Sequence, residues 1–398
     1  MVERMAETAV VKTEAKAIPA RVRLEYLDGL RGLAALYVVM YHASDPTWAG
    51  GTLPHRLAAC LRLLVYGHFA VAVFIVLSGY CLMLPVARAA DRQLRGGAGE
   101  YLRRRARRIL PPYYAALLVT LLLMKLVPQL HMHSGNYWDG ALPAFRTDVL
   151  LSHLFLVHNL SSQWNWKIDP PLWSVATEWQ IYFFFPFVLL PLWRRFGLAA
   201  AVISALLLGL APHFLLPQAW SLDVAVPWYL GLFGIGMGAA IVNFAQDELP
   251  VRLRSRIPWG TVTALQFLLL LGVALLRSKW WWAHLWFADT QIGLCTASFL
   301  IFGTQQCHNS RPHGLIRLLQ VRPVVFLGTM SYSLYLIHAP LLALLHLPLV
   351  HLIASPSLRL GMMIFVLVPI TVLLAYLFHV LFERRYMSPH GSKASAAA

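Results

Sequence analysis

Eleven stretches of mostly apolar residues divide the chain, at about 30–45, 64–86, 109–130, 149–160, 171–193, 197–217, 224–246, 258–276, 286–305, 323–345 and 359–382. A helix that crosses a bilayer needs about 20 such residues, and ten of the stretches are long enough. The fourth, 149–160, has only twelve residues and predicts a re-entrant or interfacial helix. The pattern therefore predicts an all-α, polytopic membrane helix bundle of ten spans plus one short helix, occupying residues 23–386. Residues 1–22 and 387–398 mix charge with Ala, Val and Ser and predict disordered ends. The opening residues show no apolar run followed by a cleavage site, so no signal peptide is read.

Composition sharpens this picture. Of 398 residues, 59% are hydrophobic and 13% charged, against about 25% charged in ordinary soluble chains. An ordinary soluble domain, a disordered protein and a nucleic-acid binder are excluded together. The net charge of +16 then reports topology. With the N-terminus inside and ten crossings, 24 Lys and Arg residues fall inside and 7 outside, as the positive-inside rule requires. An eleventh crossing would move Arg194, Arg195 and every later inner cluster outside. Both termini are thus expected in the cytoplasm. The run Trp280, Trp281, Trp282 falls at an outer boundary, where an aromatic belt belongs. Cys60, Cys81, Cys295 and Cys307 are too few and too scattered for a disulfide framework or a thiolate metal site.

Ionisable residues inside a bilayer are costly and point to function. At 1.5 Å per residue, His42 lies about 18 Å above the inner edge, Glu178 about 20 Å and His338 about 22 Å. Three titratable groups from three helices are thus expected at one depth. An imidazole there can serve as general base or nucleophile, and a carboxylate can orient it. A polar packing network and a proton relay in a transporter are alternatives on the same residues. Arg31 lies eleven residues before His42, three turns down the same face, placed to hold an anion or to snorkel. The run YLRRRARRILPPYY sets Arg103, Arg104, Arg105, Arg107 and Arg108 at a cytoplasmic mouth. That is more charge than topology needs, and it suits a polyphosphate or anionic lipid headgroups. Ser78 and Gly79 either let helices approach closely or leave room for a ligand chain. Ser331, Tyr332, Ser333 and Tyr335 form a hydroxyl stripe leading to His338 that should face the bundle interior. The segment from His131 to Pro170, the longest outer loop, is rich in Trp, His, Asn and Ser and suits a polar ligand. Its His131-x-His133 pair lacks further metal ligands, and no metal site is expected.

Five motifs occur in order. They are LDGLRGLAALYVVMYHA with Arg31 and His42, VFIVLSGY, YLRRRARRILPPYY, PLWSVATEWQIYFF with Trp173, Ser174, Glu178 and Tyr182, and TMSYSLYLIHAPLL with His338 and Pro340. Together, over about Tyr26 to Tyr386, they resemble the acyltransferase family 3 integral-membrane proteins, which include O-acetyltransferases of bacterial surface polysaccharides. The final segment FERRYMSP departs from the family pattern, matching at Glu383 but lacking the following Pro. The resemblance implies a stand-alone enzyme in a bacterial inner membrane that takes acyl-CoA, in particular acetyl-CoA, as donor and a carbohydrate or glycolipid hydroxyl as acceptor. It implies that Arg31 and His42 are tied to activity, and the shared depth of the buried groups adds the expectation that Glu178 orients or stabilises His42. Arg104, Arg105 and Arg108 would hold the coenzyme A phosphates, with Ser78 and Gly79 passing the pantetheine arm. His338, Ser331, Ser333, Tyr335, Trp173 and Ser174 would bind substrate, and Trp164 and Trp166 would stack on a sugar. A proton-coupled transporter or exporter, moving substrate without consuming acyl-CoA, is the alternative of a different class.

Overall fold

A computed structural model describes residues 24–276, 279–309 and 313–387. The terminal segments expected to be disordered lie outside the described residues, apart from Met387. The described chain is a bundle of helices with no strand. The principal helices are α1 (Glu25–Ala43), α2 (Gly67–Arg88), α3 (Gly97–Leu126), α4 (Thr147–Leu154), α5 (Trp173–Phe184), α6 (Leu190–Leu215), α7 (Tyr229–Phe244) and α8 (Trp259–Leu276). They continue with α9 (Leu285–His308), α10 (Arg322–Thr329), α11 (Ser331–Leu352), α12 (Pro356–Met362) and α13 (Val368–Phe378).

Eight helical runs among the described residues are long and apolar enough to cross a membrane. Two physical details relate them to the ten apolar stretches long enough to cross. First, the run Pro170–Leu215 counts once, yet its 46 residues would extend about 69 Å against a hydrocarbon core of about 30 Å. It is broken at Gly197, whose φ of 84° and ψ of −171° interrupt the helix between α5 and the rest of α6. Second, α1 carries Glu25, Asp28 and Arg31 in its first two turns, which removes it from the strongly apolar set. Its Ala35, Val38 and Val39 are nonetheless buried in the common core. The short α4 ends at Leu154 and is followed by a turn over His158–Leu160, so it makes no crossing.

Close helix contact sets the frame of the site. A Cβ on Gly79 would stand 2.1 Å from the backbone oxygen of Phe233 on α7, and one on Gly236 would stand 2.1 Å from that of Val76. Helices α2 and α7 therefore touch backbone to backbone, as small residues permit in membrane bundles. α11 is tied to the chain's last helical turn by Glu383. This buried carboxylate accepts from the Ser333 hydroxyl at 2.5 Å, the Ser333 amide at 3.3 Å and His379 Nδ1 at 2.8 Å.

Candidate active site

A cavity of about 310 Å³ lies between α1, α2, α3, α5 and α11. One end is basic. Arg31 comes from α1, while Arg105 and Arg108 come from α3, one turn apart on the same face. Among the described residues, neither Arg105 nor Arg108 forms an ion pair, and Arg31 reaches only Asp28, at 3.4 Å. The buried Nε of Arg105 has no hydrogen-bond partner. Three guanidinium groups facing one cavity with so little compensation are an arrangement that could hold a polyanion.

The middle of the cavity is hydroxyl-lined. The Tyr182 hydroxyl donates to Glu178 Oε1 at 2.5 Å, and Ser78 Oγ lies 3.2 Å from that hydroxyl. Ser331, Tyr332 and Tyr335 of α11 and Ser174 of α5 complete this wall. The Tyr335 hydroxyl bonds Ser174 Oγ at 2.6 Å and the Pro171 carbonyl at 3.1 Å.

Beyond Tyr335 stands a histidine pair. The His338 ring lies 5.8 Å from that of Tyr335 and stacks on His42 at 5.1 Å and 30°. His338 Nδ1 faces the Tyr335 carbonyl at 2.8 Å. A carbonyl only accepts, so Nδ1 carries the proton and Nε2 of the neutral ring is an acceptor. That Nε2 is buried without a partner. His42 also meets Tyr137, at 4.7 Å, from the segment between α3 and α4 folded over this end. Arg31 and His42 lie at opposite ends of the path on one straight helix, about 16 Å apart.

The structure thus gathers Arg31, Arg105, Arg108, Ser78, Glu178, Ser331, Tyr335 and Ser174 around one cavity, and places His42 and His338 together just beyond it. Other expected residues lie elsewhere. Arg104 turns to Glu100 at 3.4 Å and the Arg95 carbonyl at 3.0 Å, outside the cavity. Gly79 faces α7, and its neighbour Ser78 faces the cavity. Ser333 points at Glu383. Trp173 joins an aromatic group with His68 and Tyr229. Glu178 bonds Tyr182 and makes no contact with His42, because its helix turns it toward the basic end. His133 lies 3.6 Å from Asp139, and among the described residues no three His, Cys, Asp or Glu side chains are placed to hold a metal ion.

Asp169, Asp289 and His68 are among the acidic and imidazole groups that the sequence reading did not single out. Asp169 is fully buried with both carboxyl oxygens unpartnered, and burial holds its carboxyl well above the usual carboxylate range. Asp289, also fully buried, accepts from Trp228 Nε1 at 2.8 Å and pairs with His68 Nε2 at 3.1 Å. Asp289 lies within an apolar stretch and so carried a usable signal. His68 lay near the end of another, where a polar residue reads as an interfacial one.

A cavity with three guanidinium groups at one end and a histidine pair just beyond the other, set among membrane-type helices, defines a class of site that could serve group transfer from a large anionic donor. Comparison with known proteins agrees. A family described as an acyltransferase domain matches residues 24–380, and the chain belongs to that family. The Bacillus subtilis (strain 168) protein named "Putative peptidoglycan O-acetyltransferase YrhL" is 27% identical over 335 residues, covering 80% of this chain and 48% of that protein. The O-acetyltransferase OatA of Staphylococcus aureus (strain NCTC 8325 / PS 47) is 23% identical over 329 residues, covering 79% and 50%. The acyltransferase MdmB of Streptomyces mycarofaciens is 28% identical over 200 residues, covering 46% of each chain. The chain spans about half the length of these relatives. No solved structure matches.

Proposed function

We propose that this chain is an O-acyltransferase of a bacterial inner membrane. It moves an acetyl group from cytoplasmic acetyl-CoA to a carbohydrate hydroxyl in the outer half of the bilayer, with both termini in the cytoplasm. The observation that carries the reading is the cavity itself, with Arg31, Arg105 and Arg108 at one end and Tyr335 leading to His338 and His42 at the other. The three guanidinium groups suit the donor's phosphates, and the hydroxyl-lined passage past Ser78 suits its arm. The names of the relatives favour O-acetyl transfer and, for one of them, peptidoglycan as acceptor.

In the proposed step, His42 takes the proton of the acceptor hydroxyl as its oxygen bonds to the thioester carbonyl carbon. The C–S bond then breaks, and the proton passes from His42 to the departing coenzyme A sulfur. His338, held by the Tyr335 carbonyl, presents its Nε2 as an acceptor beside His42 and positions the incoming hydroxyl. Glu178 acts at the donor end through Tyr182. The test is mass spectrometry of surface glycans from cells with and without this protein. Loss of an acetyl ester is expected, and identical ester content contradicts the reading.

A further inference from the structure

The His68–Asp289 pair takes no part in the step above, yet it is built like a working site. Asp289 is fully buried on α9, and Trp228 Nε1 holds its Oδ2 at 2.8 Å. The same oxygen lies 3.1 Å from His68 Nε2, and the Tyr229 hydroxyl is 3.5 Å from that nitrogen. A carboxylate oxygen only accepts, so Nε2 carries a proton and Nδ1 is left to hydrogen-bond a hydroxyl. The His68 side chain retains 19% exposure, and its Nδ1 has no hydrogen-bond partner among the described residues.

Position links this pair to the transfer path. Val71, Ile75 and Ser78 of α2 line the cavity, and His68 stands on the same helical face one turn before Val71. It therefore sits past the end of the cavity remote from the arginines. Aromatic rings surround it. Trp173 lies nearly parallel to the imidazole, at 6.1 Å and 15°, and Tyr229 is 6.2 Å away. Trp166, at 6.4 Å from Trp173, is 46% exposed. A fixed imidazole nitrogen and, one ring further out across the buried Trp173, an exposed indole make a combination that can hold a neutral, hydroxyl-rich ring: the indole covers its C–H face, and the nitrogen bonds one hydroxyl.

We propose that His68, oriented by Asp289, and the Trp166–Trp173 shelf form a carbohydrate-binding subsite that docks the acceptor at the outer end of the cavity. The subsite rests on the acyl-transfer reading and deepens it, with His68 as a positioning residue.

The test uses the full chain in lipid nanodiscs, with an N-acetylglucosamine tetramer as probe and tryptophan fluorescence as readout. His68→Gln keeps an amide nitrogen where Nε2 donates to Asp289 but removes Nδ1, so a purely structural tether survives it. Saturable binding to the wild type is expected, weakened at least tenfold by His68→Gln and by Trp166→Ala, with melting temperature and KM for acetyl-CoA unchanged. Absence of binding to the wild type, or binding unaltered by His68→Gln, overturns the subsite. Turnover of acetyl-CoA is followed in parallel. If the wild type binds the sugar through His68 but never consumes acetyl-CoA, the transfer reading fails and the subsite stands. If turnover is intact and His68→Gln leaves sugar binding unchanged, the subsite fails and the transfer reading stands.

Discussion

Arg108→Ala removes one of the three guanidinium groups that face the cavity proposed to hold the donor. Arg108 has no ion-pair partner among the described residues, so its substitution leaves no orphaned carboxylate behind. The free protein loses like-charge repulsion with Arg31 and Arg105 and should melt at the same temperature or slightly higher. The donor complex loses one hydrogen-bonded contact to a phosphate. Such contacts contribute about 1.5–3 kcal/mol, so KM for acetyl-CoA should rise about 10- to 150-fold. Arg105→Ala should behave alike. Arg103 is the internal control. It comes from the same basic run, but its side chain is 79% exposed and paired with Glu100 at 2.8 Å. Exposed pairs contribute at most about 1 kcal/mol, so Arg103→Ala should shift KM by no more than about fivefold. The assay is acetyl-CoA consumption in membranes at fixed acceptor, with melting temperature measured on the same preparations. Equal effects of Arg103→Ala and Arg108→Ala, or an unchanged KM in Arg108→Ala, would refute the assignment of the cavity to the donor phosphates.

Three further outcomes follow from the packing. Gly79→Leu puts a side chain where even a Cβ would stand 2.1 Å from the Phe233 carbonyl oxygen. It should separate α2 from α7 and abolish the monodisperse peak in size-exclusion chromatography, whereas Ser78→Ala should leave that peak intact. Ser333→Ala removes one of three hydrogen bonds to buried Glu383, which should cost about 1.5–3 kcal/mol and lower the melting temperature without altering KM for acetyl-CoA. His153 and His158 stack at 3.9 Å in and just after α4, and burial lowers the His153 pKa to about 4 from 6.5. Their depressed values mean that the stability they contribute is present above about pH 6.5 and is lost as pH falls toward 4, by about 3 kcal/mol for His153. Hydrogen-exchange protection factors of residues 147–160, which are corrected for the intrinsic pH dependence of exchange, should therefore fall over that window, and constant protection factors would contradict it.

What could be read from the residues alone follows from how scarce charge is in this chain. Arg31 and His42 stood out because each is a polar residue in an apolar stretch, and the eleven-residue spacing fixed their shared face on a single helix. The basic run in the first turns of α3 was equally visible. Which of its arginines enter the cavity was not, because that depends on which face of α3 meets α1 and α5. Arg105 and Arg108 do so, while Arg104 turns to Glu100. Glu178 shows the same limit, since a depth can be counted along a helix but a partner across the bundle cannot. Its nearest hydrogen-bond partner proved to be Tyr182, one turn away. Gly79 read equally as a packing or a passage residue until α7 was placed against it. Asp169 sits in a loop, where carboxylates are common, and only the covering outer segment makes it a buried one.

The central claim is that His42 carries acyl transfer from acetyl-CoA. Inverted membrane vesicles expose the cytoplasmic face to added radiolabelled acetyl-CoA, and the label reaching alkali-labile esters on glycan in the lumen measures the reaction directly. The account predicts label in the wild type and none above background in His42→Ala at equal protein level. Undiminished ester labelling in His42→Ala would contradict it.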